Sequence, residues 1–199
     1  MQGIESNFFA QGHRVLAGID EVGRGAWAGP VAVGVVMATS ADIVHFPEGI
    51  KDSKLLSPST REKLVPKIER SCFGFGVGFA DNSECDLLGM TKAQALATER
   101  AIAKTGIQPD LILLDGKFNF SEFENVVTII RGDSKSLLIA AASVVAKVTR
   151  DNLMIAYEKE FPQYGFASNK GYPSLQHRCV VEEIGLSSIH RKSWKVVGI

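Results

Sequence analysis

The sequence predicts a mixed α/β fold with a helical C-terminal region. Short apolar segments typical of buried strands come first, strands and helices then alternate, and helical patterns close the chain. A length of 199 residues suits one domain, or one domain with a modest appendage. The segment 162–173 is rich in proline and glycine, so we expect it to mark the boundary between residues 1–160 and a C-terminal region at 161–199.

The first half of the chain contains three predicted strands and one predicted helix. The apolar segment 15–19 and the valine-rich segment 31–37 are typical of buried strands. A Ser-Pro dipeptide supplies an N-cap and a first-turn proline for a helix over residues 57–70. Residues 73–79 alternate phenylalanine or valine with glycine, which predicts a strand with one bare face.

The second half alternates helices and strands. An alanine-rich segment over 87–104, followed by Thr-Gly, predicts a helix with a C-terminal glycine. The apolar segments 111–114 and 126–130 predict two further strands. Helical patterns over 137–159 and 175–184 complete the order.

The composition excludes several classes of protein. No segment is long and apolar enough to cross a bilayer, and the first residues lack a secretory signal, so we expect a cytosolic protein with no membrane partner. Three cysteines without a Cys-x-x-Cys pair predict neither a disulfide framework nor a structural zinc site. The net charge of zero argues weakly against a polyanionic partner. From residue 168 onward, however, the sequence contains five Lys or Arg residues and only two Glu residues. This excess fits either a phosphate-binding surface or a solvated tail.

The segment 18–25, Gly-Ile-Asp-Glu-Val-Gly-Arg-Gly, places Asp20 and Glu21 directly after an apolar strand. Its glycines superficially match a dinucleotide-binding loop, but that loop opens a helix, whereas here Gly-Pro leads into a strand. Adjacent carboxylates also repel a phosphate unless a cation lies between them. The segment therefore favours a site for Mg²⁺ or Mn²⁺, which prefer carboxylate oxygens. Glu21 alone is also compatible with a solvated loop position.

Two further aspartates follow predicted strands. Asp115 comes after the strand at 111–114, and Asp133 lies between a strand and a helix. Ligand sites of α/β sheets form at the carboxyl ends of neighbouring strands, so four carboxylates from distant segments can converge there and hold two metal ions for phosphodiester hydrolysis. Both aspartates have structural alternatives, because Asp115-Gly116 is a common turn and Asp133 or Ser134 can cap the following helix.

Taken together, the motifs of this chain closely resemble the ribonuclease HII family. They occur in the order found in that family and span about residues 14–194, and the Asp-Glu-Val-Gly-Arg-Gly stretch is highly specific. The matching segments are Gly18–Gly25, Ala28–Pro30, Asp52–Lys54, Leu114–Gly116, Gly132–Lys135, Ala140–Lys147 with Arg150-Asp151, Lys170–Tyr172 and Ile189–Arg191.

The resemblance implies an RNase H-like fold, with a central mixed five-stranded sheet flanked by helices. Residues 1–160 would form the catalytic domain, and residues 161–199 a helical region that grips the duplex, within one domain or beside it. The implied activity is hydrolysis of the RNA strand of RNA–DNA hybrids, together with a cut 5′ of single ribonucleotides in duplex DNA. The implied products carry 3′-hydroxyl and 5′-phosphate ends, and the implied cofactor is Mg²⁺ or Mn²⁺, with two ions during catalysis.

The resemblance also implies roles for individual residues. Those implied to bind metal and catalyse are Asp20, Glu21, Asp115 and Asp133. Those implied to bind substrate are Gly23, Arg24, Gly25, Ser53, Lys54 and Tyr172. Glycine lets the backbone approach a sugar closely, and the 2′-hydroxyl distinguishes RNA from DNA. Tyr172 would pack on the neighbouring deoxyribose, whereas without the family an amphipathic tyrosine with a wet hydroxyl is the preferred interpretation.

Three polar residues recur on the apolar helix predicted after residue 137. Ser143, Lys147 and Arg150 are spaced by four and three residues, so they share one helix face. A polar stripe on a buried helix must meet water, a partner or the substrate. We expect Ser143 and Lys147 to bind substrate, with Lys147 at a phosphate, and the alternative for Arg150 is an internal salt bridge to a nearby acid.

A second class of function is an RNase H-like module that binds nucleic acid without hydrolysing it. Such a module would be free to lose one of the four acids, and this chain has them all. We expect a monomer that acts on RNA–DNA hybrids and on DNA duplexes containing ribonucleotides. A clamp protein is a possible partner, although residues 195–199 contain no recognisable aromatic docking motif.

Overall fold

The computed structural model of the protein describes residues 4–194. Its centre is one five-stranded sheet in the order β3-β2-β1-β4-β5. Strands β1, β2 and β3 pair antiparallel, whereas β1, β4 and β5 pair parallel, which confirms the mixed five-stranded sheet. The strands are β1 (Leu16–Val22), β2 (Val31–Ala38), β3 (Gly74–Ala80), β4 (Leu111–Asp115) and β5 (Val126–Ile129).

The helices largely follow the sequence prediction, with three additions. They are α1 (Glu5–Ala10), α2 (Pro58–Ser71), α3 (Asn82–Leu88), α4 (Met90–Thr105), α5 (Leu137–Tyr157), α6 (Phe166–Asn169) and α7 (Leu175–Ile184). Helices α1, α3 and α6 were not predicted, and α6 lies in the segment expected to be a proline- and glycine-rich boundary. The single helix expected over 87–104 is wrong at its start, because Gly89 has a φ of 75° and separates α3 from α4.

Helices cover both faces of the sheet. One apolar cluster joins alternate strand residues to α2 and α5, and a second joins the intervening residues to α4. The glycines of β3 explain how closely α4 approaches, because a Cβ on Gly76 or Gly78 would collide with backbone carbonyls of Ala101 and Ala97. The face predicted to be bare is therefore the surface on which a helix packs.

The C-terminal region packs against the loop after β1 and against the end of α5. A third apolar cluster contains Trp27, Met154, Tyr164, Phe166 and Val181. Its members come from both sides of residue 160, so the two regions share a core, and the division at 160/161 stays a prediction.

None of the helices within residues 4–194 has the length and apolar character that crossing a membrane requires. The prediction about a docking motif concerns residues 195–199, which lie outside the described part of the chain.

Candidate active site

The first two carboxylates lie within β1 and not after it. Parallel pairing of β1 with β4 ends at Ile19 and Leu114, but antiparallel pairing with β2 continues through Val22. The expected strand end at residue 19 is therefore wrong. At Asp20 and Glu21, β1 still pairs with β2 but no longer with β4. The edge of β1 that faces β4 is therefore unpaired at these two residues.

The other two aspartates reach the same edge of the sheet. Asp115 is the last residue of β4, and Asp133 lies in a short 3₁₀ helix after β5. The Gly132 N–H donates to Asp115 Oδ1 at 2.6 Å, which joins the two segments. Ser136 is the N-cap of α5, and its hydroxyl accepts from the Ile139 N–H at 3.1 Å. Capping of α5 by Asp133 or Ser134, the structural alternative, is therefore wrong.

Burial disfavours the charged form of the first two carboxylates. Asp20 is only 7% exposed, and burial, reinforced by the charges of Glu21 and Asp115, raises its pKa to about 7, although the Ser143 hydroxyl opposes the shift. Burial also raises the pKa of Glu21 against the opposing charge of Arg24, whose guanidinium lies 3.9 Å from the Glu21 carboxylate. These acids carry an electrostatic cost that a bound cation would relieve.

The electrostatics identify one acidic residue that the sequence analysis did not assign to the site. Burial raises the pKa of Asp133, and the carboxylates of Asp52 and Asp115 add to the shift. Partial burial acts against the charge of Lys54, but the carboxylates of Asp52 and Asp20 outweigh it and raise the pKa of Lys54. Asp52 therefore belongs to the same charge cluster, and its place in the Asp-Ser-Lys motif was the available signal.

The donor chemistry of the cluster fits a hard divalent cation. Asp20, Glu21, Asp115 and Asp133 offer only carboxylate oxygens, which suit Mg²⁺ or Mn²⁺. Within residues 4–194, no three His, Cys, Asp or Glu side chains form a ligand set on their own. Mg²⁺ commonly binds proteins through one or two carboxylates, while water and substrate phosphates complete its shell.

One cavity of about 340 Å³ brings together the residues expected to bind substrate. Asp20 and Glu21 line it. The other predicted residues that line it are Gly23, Arg24, Gly25, Ser53, Lys54, Ser143, Lys147 and Tyr172. Asp133 lines a neighbouring cavity of about 200 Å³ together with Asp52. The cavity lined by Asp20 and Glu21 and the cavity lined by Asp133 thus meet at residues 52–54.

Tyr172 is held at both ends. Its hydroxyl accepts from the Gly23 N–H at 3.0 Å, and its backbone carbonyl lies 2.8 Å from His177 Nδ1. The Lys147 ammonium lies 5.9 Å from the centre of its ring. These contacts fix the ring beside the Gly-Arg-Gly loop, in the cavity that both line.

The polar stripe on α5 divides between the pocket and the core. Ser143 Oγ lies 2.8 Å from Ser53 Oγ, and Lys147 pairs with Asp151 at 2.8 Å. Arg150 is fully buried, and among the described residues 4–194 its guanidinium donates only to the backbone carbonyls of Ala28, Pro30 and Lys170. The internal salt bridge considered for Arg150 is therefore wrong, because carbonyl oxygens take its donors.

A buried histidine pair supports Tyr172 from behind. His177 Nε2 and His190 Nε2 are 3.0 Å apart, and His190 Nδ1 accepts from the Ser187 N–H at 2.9 Å. The consistent tautomers have His190 Nε2–H donating to His177, whose Nδ1–H donates to the Tyr172 carbonyl. Burial lowers the pKa of both rings, that of His190 to about 4, so the pair is neutral. No sequence pattern indicated this pairing, since the two histidines come from separate segments.

Comparison with known proteins identifies one family. The family model described as Ribonuclease HII matches residues 17–197. A curated relative named Ribonuclease HII from Streptomyces avermitilis is 43% identical over 184 residues, which cover 92% of this chain and 78% of the relative.

Solved structures show the same similarity. The ribonuclease H2 from Pyrococcus horikoshii aligns with a TM-score of 0.78 and 28% identity, covering 92% of this chain and 94% of that protein. The RNase HII from Archaeoglobus fulgidus, solved as a complex with PCNA, aligns with a TM-score of 0.75 and 27% identity over the same shares. The five-stranded α/β architecture is thus an RNase H-like fold.

Proposed function

The chain belongs to the ribonuclease HII family and is a ribonuclease H endonuclease, and from this membership we propose the substrates and the cut that its site favours. It hydrolyses the RNA strand of RNA–DNA hybrids. It also cuts 5′ of a single ribonucleotide in duplex DNA and leaves 3′-hydroxyl and 5′-phosphate ends. The observation that supports this proposal is that acidic residues, the Gly-Arg-Gly loop and Tyr172 line one cavity.

In this proposal the carboxylates of Asp20, Glu21, Asp115 and Asp133 hold two divalent ions, Mg²⁺ or Mn²⁺. Bound ions of this kind lower the pKa of water and stabilise the leaving oxygen of a phosphodiester. The protein contributes the positions of the acids. The hydrogen bond from the Gly132 N–H fixes Asp115, and burial in β1 fixes Asp20.

The Gly-Arg-Gly loop and Tyr172 select the position of the cut. Gly23 has a φ of 85°, and a Cβ there would collide with the Arg150 guanidinium, so only glycine fits the turn that presents the loop. Backbone groups of the loop meet the 2′-hydroxyl, and the Tyr172 ring packs on the deoxyribose of the next nucleotide. Lys54 and Lys147 are the lysines of the cavity and contact phosphate, with Ser53 and Ser143 beside them.

The proposed partners follow from the substrate. RNA–DNA hybrids and ribonucleotide-containing DNA duplexes are the partners of the site, and residues 161–194 help to grip them. The protein acts as a monomer in the cytosol. A sliding clamp is a further candidate partner, since the Archaeoglobus relative was solved bound to PCNA.

Cleavage of a labelled DNA duplex containing one ribonucleotide tests the function. We expect cutting at that ribonucleotide with Mg²⁺ or Mn²⁺, and none after chelation. The matched all-DNA duplex should stay intact. Binding of the ribonucleotide duplex without metal-dependent cutting would contradict the enzyme and favour a module that only binds nucleic acid.

A further inference from the structure

Arg191 is a buried arginine without a carboxylate partner. It is 0% exposed, and within residues 4–194 no Asp or Glu oxygen lies within the 4.0 Å of an ion pair with its guanidinium. Burying an unpaired charge is costly unless hydrogen bonds compensate it. The compensating groups therefore indicate what the side chain holds in place.

The compensating groups are backbone carbonyls of the loop after β1. The guanidinium donates from Nη2 to the Gly23 oxygen at 2.7 Å, from Nη1 to the Arg24 oxygen at 3.0 Å, and from Nε to the Gly29 oxygen at 3.1 Å. The Arg191 N–H also donates to the Trp27 oxygen at 2.8 Å, which keeps the base of the side chain beside the loop. A planar guanidinium with fixed donors suits this multiple contact.

Holding these carbonyls also orients the next two N–H groups. The described chain has no cis peptide bond, and in a trans peptide the C=O and the following N–H point in opposite directions. With the oxygens of Gly23 and Arg24 turned towards Arg191, the N–H groups of Arg24 and Gly25 point away from it. Neither N–H has a hydrogen-bond partner in the described structure, and both residues are exposed and line the cavity.

We propose that Arg191 is the positioning residue for ribose recognition, because its fork holds the Gly23 and Arg24 carbonyls so that the N–H groups of Arg24 and Gly25 face the 2′-hydroxyl. This inference rests on the proposed function and extends it to a residue outside the cavity. Donors fixed before binding lose little freedom when the ligand arrives. A lysine keeps the charge, but one ammonium cannot reproduce the fork that spans both carbonyls.

Binding measurements on Arg191→Lys test the proposal. Fluorescence anisotropy in EDTA gives the dissociation constants for a duplex with one ribonucleotide and for the matched all-DNA duplex. In Arg191→Lys the N–H groups of Arg24 and Gly25 are no longer held towards the 2′-hydroxyl. We therefore expect affinity for the ribonucleotide duplex to fall about tenfold, and affinity for the all-DNA duplex to change by less than about twofold. The matched control is Arg178→Lys, an exposed arginine of the same region that donates to the Pro173 carbonyl, and it should keep the preference of the wild type.

Equal loss of affinity for both duplexes would overturn the proposal and leave Arg191 a structural role. If Arg191→Lys does not fold, amide chemical shifts of the wild-type protein decide instead. The Arg24 and Gly25 amides should shift with the ribonucleotide duplex and not with the all-DNA duplex, and identical shifts would overturn the proposal. Failure of the wild type to cut at a ribonucleotide contradicts the proposed function itself, whereas normal cutting with an unchanged preference in Arg191→Lys contradicts only this inference.

Discussion

Asp20 is nearly buried and has no cation within ion-pair distance in the described chain. Its pKa of about 7 in the folded protein, against 3.8 for an unperturbed aspartate, means that the folded state binds the proton more tightly than the unfolded chain. The free energy of unfolding therefore falls as the pH rises from about 4 to about 7, and the loss reaches its full size above that range. The proposed metal-binding role of Asp20 would therefore come at the expense of folding stability.

Asp20→Asn should stabilise the metal-free protein at neutral and alkaline pH. The amide removes the buried charge, so the gain in free energy of unfolding is close to zero near pH 4 and grows to at most about 4 kcal/mol above pH 7. Thermal unfolding of both proteins in EDTA at pH 4 and pH 8 measures this difference. An equal gain in free energy of unfolding at the two pH values would contradict a destabilising buried charge on Asp20.

Asp115→Asn should abolish cleavage while leaving duplex binding largely intact. Loss of a metal ligand removes several kcal/mol of transition-state stabilisation, which corresponds to a rate about a thousandfold lower. The control is Asp110→Asn at the opposite end of the same strand, where the carboxylate accepts from the Arg14 and Val15 N–H groups, and it should retain activity. Cleavage by Asp115→Asn near the wild-type rate would remove Asp115 from the catalytic set.

Predictability at the residue scale depended on local sequence. The adjacent acids after an apolar strand and the glycines beside them can be recognised within the eight residues 18–25. Asp52, His190 and Arg191 lie in segments that match the family, but no local pattern showed which groups they contact. His177 lies outside those segments, and the fold alone brings its partners close. The donors of Arg191, for example, reach carbonyls 162 to 168 positions earlier in the chain.

Among the elements, α5 connects the core to the pocket. Its first half is buried against the sheet, and Ser143 and Lys147 emerge from it into the cavity. The Lys147 ammonium both pairs with Asp151 and faces the Tyr172 ring. A helix fixed by the core thus places a lysine in the cavity proposed to bind substrate.

Lys147→Ala should weaken duplex binding and reduce its dependence on salt. Loss of one phosphate contact lowers the slope of log K against log salt concentration by about 1. The control is Lys92→Ala on α4, an exposed lysine of the helix that covers the other face of the sheet. Unchanged affinity across salt concentrations would contradict phosphate contact by Lys147.

The contact between His177 on α7 and His190 should make the folding stability of the protein fall at acidic pH. Both histidines have lowered pKa values, so the unfolded chain binds protons more tightly below pH 6.5, and stability falls as the pH drops towards about 4. His190 accounts for about 3 kcal/mol of that loss. His190→Gln should lose less stability between pH 7 and pH 4.5 than the wild type, as measured by urea unfolding. The exposed His45→Gln is the control, and matching acid profiles for His190→Gln and the wild type would contradict the account.

The elements differed in how far sequence predicted them. Helix α7 begins and ends as predicted, because serine and glycine flank its pattern. The strand β1 was predicted too short, because polar residues belong to it only through its antiparallel partner. Helix α3 was missed, although its Asp81 capping box is a signal that sequence carries.

At the scale of the whole molecule, the C-terminal region completes the site. Residues 189–191 pair with the loop after β1 through the bridge of Ala28 and His190, and the Gly29 N–H donates to the Ile189 oxygen at 2.9 Å. The loop after β1 is therefore held between the sheet and the C-terminal region. The mixed sheet could be predicted from the sequence pattern. The packing of residues 189–191 on the loop after β1 could not, because it depends on contacts between residues about 160 positions apart, which hydrophobic periodicity does not reveal.

The chemical nature of the cut ends tests the central claim most directly. Mass spectrometry of the products from a duplex with one ribonucleotide locates the broken bond and identifies both ends. Metal-assisted attack by water at the carboxylate cluster predicts a cut on the 5′ side of the ribonucleotide, with a 3′-hydroxyl on one fragment and a 5′-phosphate on the other. A cut on the 3′ side that leaves a 2′,3′-cyclic phosphate would make the 2′-hydroxyl the nucleophile and contradict the account.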